Sequence, residues 1–158
     1  MAITSFTAGE AISAGNAVFV SSSGFLYKST AVYLDQASVV GLSIDSGSAG
    51  ALIRVNSDDI YASASGLTPG EYRYASILTS GQTVSYAGWA SDLALTSYDG
   101  AYLTIVGRAI TSSGVEVETS KPLFIANPTS VFLLETSTGG LLDAILQEDG
   151  STINLEIA

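Results

Sequence analysis

Ile12-Ser13-Ala14-Gly15-Asn16-Ala17-Val18-Phe19-Val20, then Gly24, then Val39-Val40-Gly41-Leu42-Ser43-Ile44, is the stretch on which the fold turns. A counterpart follows it. Leu67-Thr68-Pro69-Gly70-Glu71-Tyr72-Arg73-Tyr74-Ala75 is followed by Gly81 and by Ile105-Val106-Gly107-Arg108-Ala109-Ile110. Each unit has a turn glycine, a short strand, a hairpin glycine, an insertion of variable length and a Val-Gly strand, which is a weak internal duplication. Glycine within a strand weakens it unless it serves a bulge or a close backbone approach. Gly41 and Gly107, in matching places, therefore predict a barrel corner or bulge used twice.

The rest of the chain has the same strand character. Val115-Glu116-Val117-Glu118 and Ile153-Asn154-Leu155-Glu156-Ile157 alternate apolar and polar residues, so each buries one face and wets the other. Ala51-Leu52-Ile53-Arg54-Val55 and Tyr102-Leu103-Thr104-Ile105-Val106 are short and rich in β-branched or aromatic residues. Turn signals separate them, among them Ser21-Ser22-Ser23-Gly24, Asp45-Ser46-Gly47, Thr68-Pro69-Gly70 and Ser112-Ser113-Gly114. The expected fold is all-β, a barrel- or sandwich-like body of short antiparallel strands in two related lobes, residues 1–60 and 61–121. Helix is expected only as a turn or two in Ser29–Ala37 and Ser91–Leu95.

A C-terminal arm, residues 122–158, follows the punctuation of Lys121-Pro122 and Asn127-Pro128. It holds three apolar runs: Val131-Phe132-Leu133-Leu134-Glu135, Ala144-Ile145-Leu146-Gln147-Glu148 and Ile153–Ile157. Leu141–Leu146 fits a helix face as well, but Gly139-Gly140 and Asp149-Gly150 bracket a short run and favour a strand. An arm of this size cannot make a core alone. It is expected to pack as a strand meander on the body or on a neighbouring chain.

Of the 158 residues 47% are hydrophobic, enough for a core and too many for a disordered chain. Only 13% are charged, and the net charge of −10 disfavours holding nucleic acid through its phosphates. Cysteine and histidine are absent, which excludes disulfides, thiolate or histidine catalysis and every zinc site that needs them. No apolar run reaches the roughly 18 residues of a membrane span. The N-terminus lacks the basic and apolar regions of a signal peptide, and the chain is expected to be complete from Met1.

No catalytic constellation emerges. Without histidine a Ser-His-Asp triad is impossible, and Lys28 and Lys121 read as solvated side chains beside turns. The paired carboxylates are Asp58-Asp59, Glu116 with Glu118, and Glu148-Asp149. Neighbours on a strand point to opposite faces, so Asp58 and Asp59 diverge, while Glu116 and Glu118 form the wet face of a strand. Calcium could take oxygen ligands from Asn56, Asp58 and Asp59 or from Glu148-Asp149-Gly150, but neither spacing is that of a calcium loop, and ordinary turns explain both. Tyr86, Trp89 and Tyr98 fall in the second unit's insertion. There they either cap a core or offer rings to a glycan or a partner. No enzyme activity and no cofactor are expected.

Two stretches carry a resemblance. Ala8-Gly9-Glu10-Ala11-Ile12 through Val20 with Val39-Val40-Gly41-Leu42, and Gly66 through Tyr74 with Val106-Gly107-Arg108-Ala109, resemble small β-rich modules of tailed-phage virions. Such modules occur in head decoration (cement) proteins and in head or tail fibres. The arm, with Leu133-Leu134-Glu135 and Leu146-Gln147-Glu148-Asp149-Gly150, is similar to Leu-Leu-Glu-rich tails of marine phage structural proteins. The resemblance implies a non-enzymatic capsid decoration protein, carried in the virion after assembly in the host cytoplasm. Its partners would be the major capsid protein or other virion proteins, with no nucleic acid and no membrane. The arm would donate a strand to a neighbour in a closed homo-oligomer, a trimer being favoured. The interface residues would be Val131, Phe132, Leu133, Leu134, Ile145, Leu146, Ile153, Leu155 and Ile157. The alternative is a fibre or spike module that binds a host-surface glycan or receptor through Tyr86, Trp89 or Tyr98.

Overall fold

The structure, a computed structural model, describes residues 3–127. Strands β1 (Ile3–Thr7), β2 (Ala17–Val20) and β3 (Leu26–Lys28) precede a one-turn helix α1 (Leu34–Ala37), and β4 (Gly41–Ser43) and β5 (Leu52–Asn56) follow it. The chain continues through β6 (Ile60–Tyr61), β7 (Tyr72–Ala75), β8 (Thr83–Val84), helix α2 (Tyr86–Leu95), β9 (Gly100–Leu103), β10 (Ile105–Ala109), β11 (Val115–Val117) and β12 (Leu123–Ala126). One sheet has the order β1-β5-β4-β2-β3 and a second has β6-β11-β10-β7-β8. Taken in chain order, both sheets place their first, fifth, fourth, second and third strands side by side. β12 and β9 pair separately as a two-stranded sheet. Every ladder is antiparallel.

The register matches as well as the order. Ala17 faces Leu42 and Val18 faces Gly41 in the first sheet, as Tyr72 faces Arg108 and Arg73 faces Gly107 in the second. The N–H of Gly15 donates to the Ser43 carbonyl at 2.8 Å, and that of Gly70 donates to the Ala109 carbonyl at 2.7 Å. Gly15 and Gly70 have φ of 84° and 91°, a left-handed turn that an L-residue adopts only with strain. A Cβ at Gly41 would run into the Asn56 carbonyl oxygen, and one at Gly107 into the Glu116 carbonyl oxygen. The paired glycines thus serve one close backbone approach, used twice, and the β7–β10 register shifts beside Gly107.

Cross-strand partners point to the same side of a sheet, so the register assigns the faces. Val18, Leu26, Ile53 and Val55 line one face of the first sheet and bury their own core with Ala8 and Ile12. Ala17 and Leu42 lie on the opposite face. They share a second core with Tyr61, Ala75, Val106, Val115 and Val117 of the second sheet. The two sheets therefore stack face to face as a sandwich, the outer side of the first on the inner side of the second. A third core gathers Ala31, Ile77, Trp89, Leu93 and Ala101 beneath α2, β9 and β12.

Of the two architectures expected, the described residues form the sandwich and no closed barrel. The first sheet curls until Ala8 meets Leu26 in a single bridge, and one bridge does not close a sheet. The run Tyr102–Val106 is not one strand. It breaks at Thr104, which is fully buried and whose Oγ1 donates to the Ala37 carbonyl at 2.8 Å. Expected helix at Ser91–Leu95 proves to be Tyr86–Leu95. The helix starts earlier because Ser85 caps it, its Oγ accepting from the Gly88 N–H at 3.1 Å. Of Ser29–Ala37 only Leu34–Ala37 is helical. The C-terminal meander lies outside the described residues, except that β12 belongs to the body through its pairing with β9.

Candidate functional site

The three insertion aromatics do not share one surface. Trp89 is 1% exposed, packed in the third core with its Nε1–H donating to the Tyr102 carbonyl at 3.3 Å. It is therefore withdrawn as a glycan platform. Tyr86 is exposed on α2 and meets Tyr74 edge-on, ring centroids 6.0 Å apart. Tyr98 is exposed, and its carbonyl accepts from the Asn127 side chain at 3.1 Å.

The carboxylate candidates separate too. Asn56 Oδ1 accepts from the N–H groups of Asp58 (3.3 Å) and Asp59 (2.9 Å), and Asp59 Oδ1 accepts from the Ile60 N–H at 2.7 Å, so this cluster shapes the turn into β6. Glu116 and Glu118 are exposed while Val115 and Val117 are buried, as alternation demands. Among the described residues no group of three or more acidic side chains is placed to hold a metal. Lys28 lies 3.9 Å from Glu10, whose Oε1 accepts the Lys28 N–H at 2.7 Å. Lys121 is exposed. Glu148, Asp149 and the nine arm residues from Val131 to Ile157 lie outside the described residues.

Among the described residues two exposed surfaces stand out. The first is the outer face of the second sheet. Register places Ile60, Glu116, Arg108 and Tyr72 in one row across four strands. All four are exposed. The Arg108 guanidinium carbon stands 5.9 Å from the Tyr72 ring centroid, a cation–π contact. Arg108 Nε also donates to the Gly70 carbonyl at 3.4 Å. The equivalent row of the first sheet is Ile3, Asn56, Leu42 and Ala17, and its last three members are buried. Tyr-Arg-Tyr alternation signals a strand, but no local signal says which of its faces a second sheet will cover, so the sequence alone gives this row no role.

The second surface is β12. Its residues, Leu-Phe-Ile-Ala, carry no charge, and Leu123 and Phe124 are 60% and 53% exposed. Among the described residues β12 pairs on one side only, with β9. An apolar edge of this kind is a template for association, and Pro122 and Pro128 limit its length. Asn127, buried just beyond it, donates from Nδ2 to the Leu93 carbonyl at 3.0 Å at the C-terminal end of α2. Its own N–H donates to the Asp99 carbonyl at 2.8 Å. The point at which the chain enters residues 128–158 is thereby anchored to the body. No helix among the described residues is long and apolar enough to cross a membrane. No protein-family model matches the chain, and no curated protein matches it.

Proposed function

We propose that the chain is a non-enzymatic virion structural protein that binds and stabilises the exterior of a phage capsid. The observation that carries this reading is β12: an uncharged edge strand with exposed Leu123 and Phe124, anchored by Asn127 and continuing into the apolar runs of the arm. Such a surface suits lattice contact through backbone and apolar groups. The net charge of −10 keeps the rest of the exterior soluble and away from the packaged genome. The mechanism is passive. Several copies, in a homo-oligomer for which threefold symmetry is favoured, hold several capsid subunits at once, and multivalency raises the cost of opening the shell.

The test mixes the purified full chain with undecorated phage heads, pellets them and weighs the free protein by native mass spectrometry. Saturable co-pelleting and a trimer are expected. Truncation after Thr129 is expected to leave a folded body that no longer attaches. Absence of binding to heads overturns the reading in favour of the fibre or spike module. Unchanged attachment after truncation removes the arm from the interface.

A further inference from the structure

We propose that Tyr72, Arg108 and Glu116, on the exposed face of the second sheet, form a binding site for a neutral saccharide. The inference is independent of capsid binding and begins with the two equivalent rows. In the first sheet the row carries Ala17, Leu42 and Asn56, which are buried at or beside the second sheet. In the second sheet the same backbone positions carry Tyr72, Arg108 and Glu116 and face outward. Solubility alone explains a charged pair at an open end. The row adds to that pair Tyr72, 45% exposed with its ring against the guanidinium, and Ile60, 52% exposed, at its far end.

The chemistry of the row is that of sugar recognition. A tyrosine ring offers an apolar face on which the C–H side of a pyranose packs. The guanidinium beside it has five N–H donors, of which one reaches the Gly70 carbonyl, and it forms no ion pair with a carboxylate among the described residues. The Glu116 carboxylate, directly across the ladder from Arg108, supplies acceptors. Donors and acceptors side by side at the edge of a ring match the vicinal hydroxyls of a sugar. Glu116 on β11 and Glu118 just beyond it, both exposed, with the net charge of −10, select against an anionic ligand such as a uronic or sialic acid. The row is exposed on a sheet face, so a single sugar is expected to bind in the millimolar range.

The test is a titration of the isotope-labelled chain with glucose, galactose, N-acetylglucosamine and their linear oligomers, followed by NMR at the Arg108 Nε–H and the Tyr72 and Glu116 amides. Saturable shifts centred on those groups are expected with at least one probe. Tyr72→Ala is expected to weaken that binding tenfold or more, and glucuronic acid to bind less well than glucose. Glu116→Gln, which alters an exposed side chain only, carries the test if Tyr72→Ala disturbs the fold, and should also weaken binding. Absence of saturable shifts with every probe overturns the proposal. So does binding that survives both substitutions, or shifts centred elsewhere.

Discussion

Ser29 Oγ is fully buried and has no hydrogen-bond partner among the described residues. A hydroxyl in that state pays its desolvation cost without a return. Ser29→Ala is expected to raise stability by about 1 kcal/mol, read as a higher urea midpoint at unchanged slope. Gly41 and Gly107 behave oppositely, because the backbone carbonyls of Asn56 and Glu116 occupy the space a methyl group needs. Gly41→Ala and Gly107→Ala are each expected to cost about 1–3 kcal/mol or more in the same measurement. These two glycines are legible from spacing alone, since a strand tolerates glycine only for such a reason. At Asp45 the Arg54 side chain donates to the carboxylate at 2.9 and 2.7 Å, and the Arg54 backbone N–H adds a third bond at 3.1 Å. These bonds hold the Asp45 carboxyl down to about 2. The sign follows: its small contribution is complete above the ordinary carboxylate range and is lost as pH falls from there through about 2. Carboxyl NMR should give that midpoint, and Arg54→Ala, which removes the two side-chain bonds and keeps the backbone one, should raise it part of the way toward the ordinary value of about 4.

Among the elements, α2 departs furthest from local propensity. Gly88 and the aromatics of Tyr86-Ala87-Gly88-Trp89 are weak helix formers. That is why the sequence placed helix only over 91–95. The first turn exists because Ser85 satisfies the Gly88 N–H and because Trp89 and Leu93, one turn apart, are driven into the third core. Ser85→Ala should cost about 1 kcal/mol, and Trp89→Ala about 3–5 kcal/mol, with loss of the near-ultraviolet signal of a packed indole. Strands, by contrast, were legible wherever alternation or β-branched runs meet a turn glycine. Thr104 escaped because its interruption of Tyr102–Val106 depends on the Ala37 carbonyl, 67 residues away.

At the scale of the molecule, the two sheets are topologically repeated but energetically fused. Leu42 of the first is buried with Val115 and Val117 of the second, and the Ala17 N–H donates to the Gly81 carbonyl across the same junction at 2.8 Å. Unfolding should accordingly be a single transition by both tyrosine fluorescence and circular dichroism. Leu42→Ala should lower the whole transition by about 2–5 kcal/mol and leave no residual folded unit. Separate transitions for the two sheets would show that the shared core couples them weakly. The β class, the strands β2, β4, β5, β7, β10 and β11, the turns that flank them and the matching of Gly41 with Gly107 are legible in the sequence alone. Each follows from local alternation or from the backbone demands of a turn. Which faces are covered follows from how the sheets stack. Equivalent positions hold a buried Ala17 and an exposed Tyr72, a buried Leu42 and an exposed Arg108, because among the described residues one sheet has a neighbour on that side and the other does not. The same stacking sent Trp89 inward and left Leu123 and Phe124 of β12 outside. Coverage is a non-local property, set by the packing of surfaces far apart in sequence, and the pattern of a single strand does not encode it.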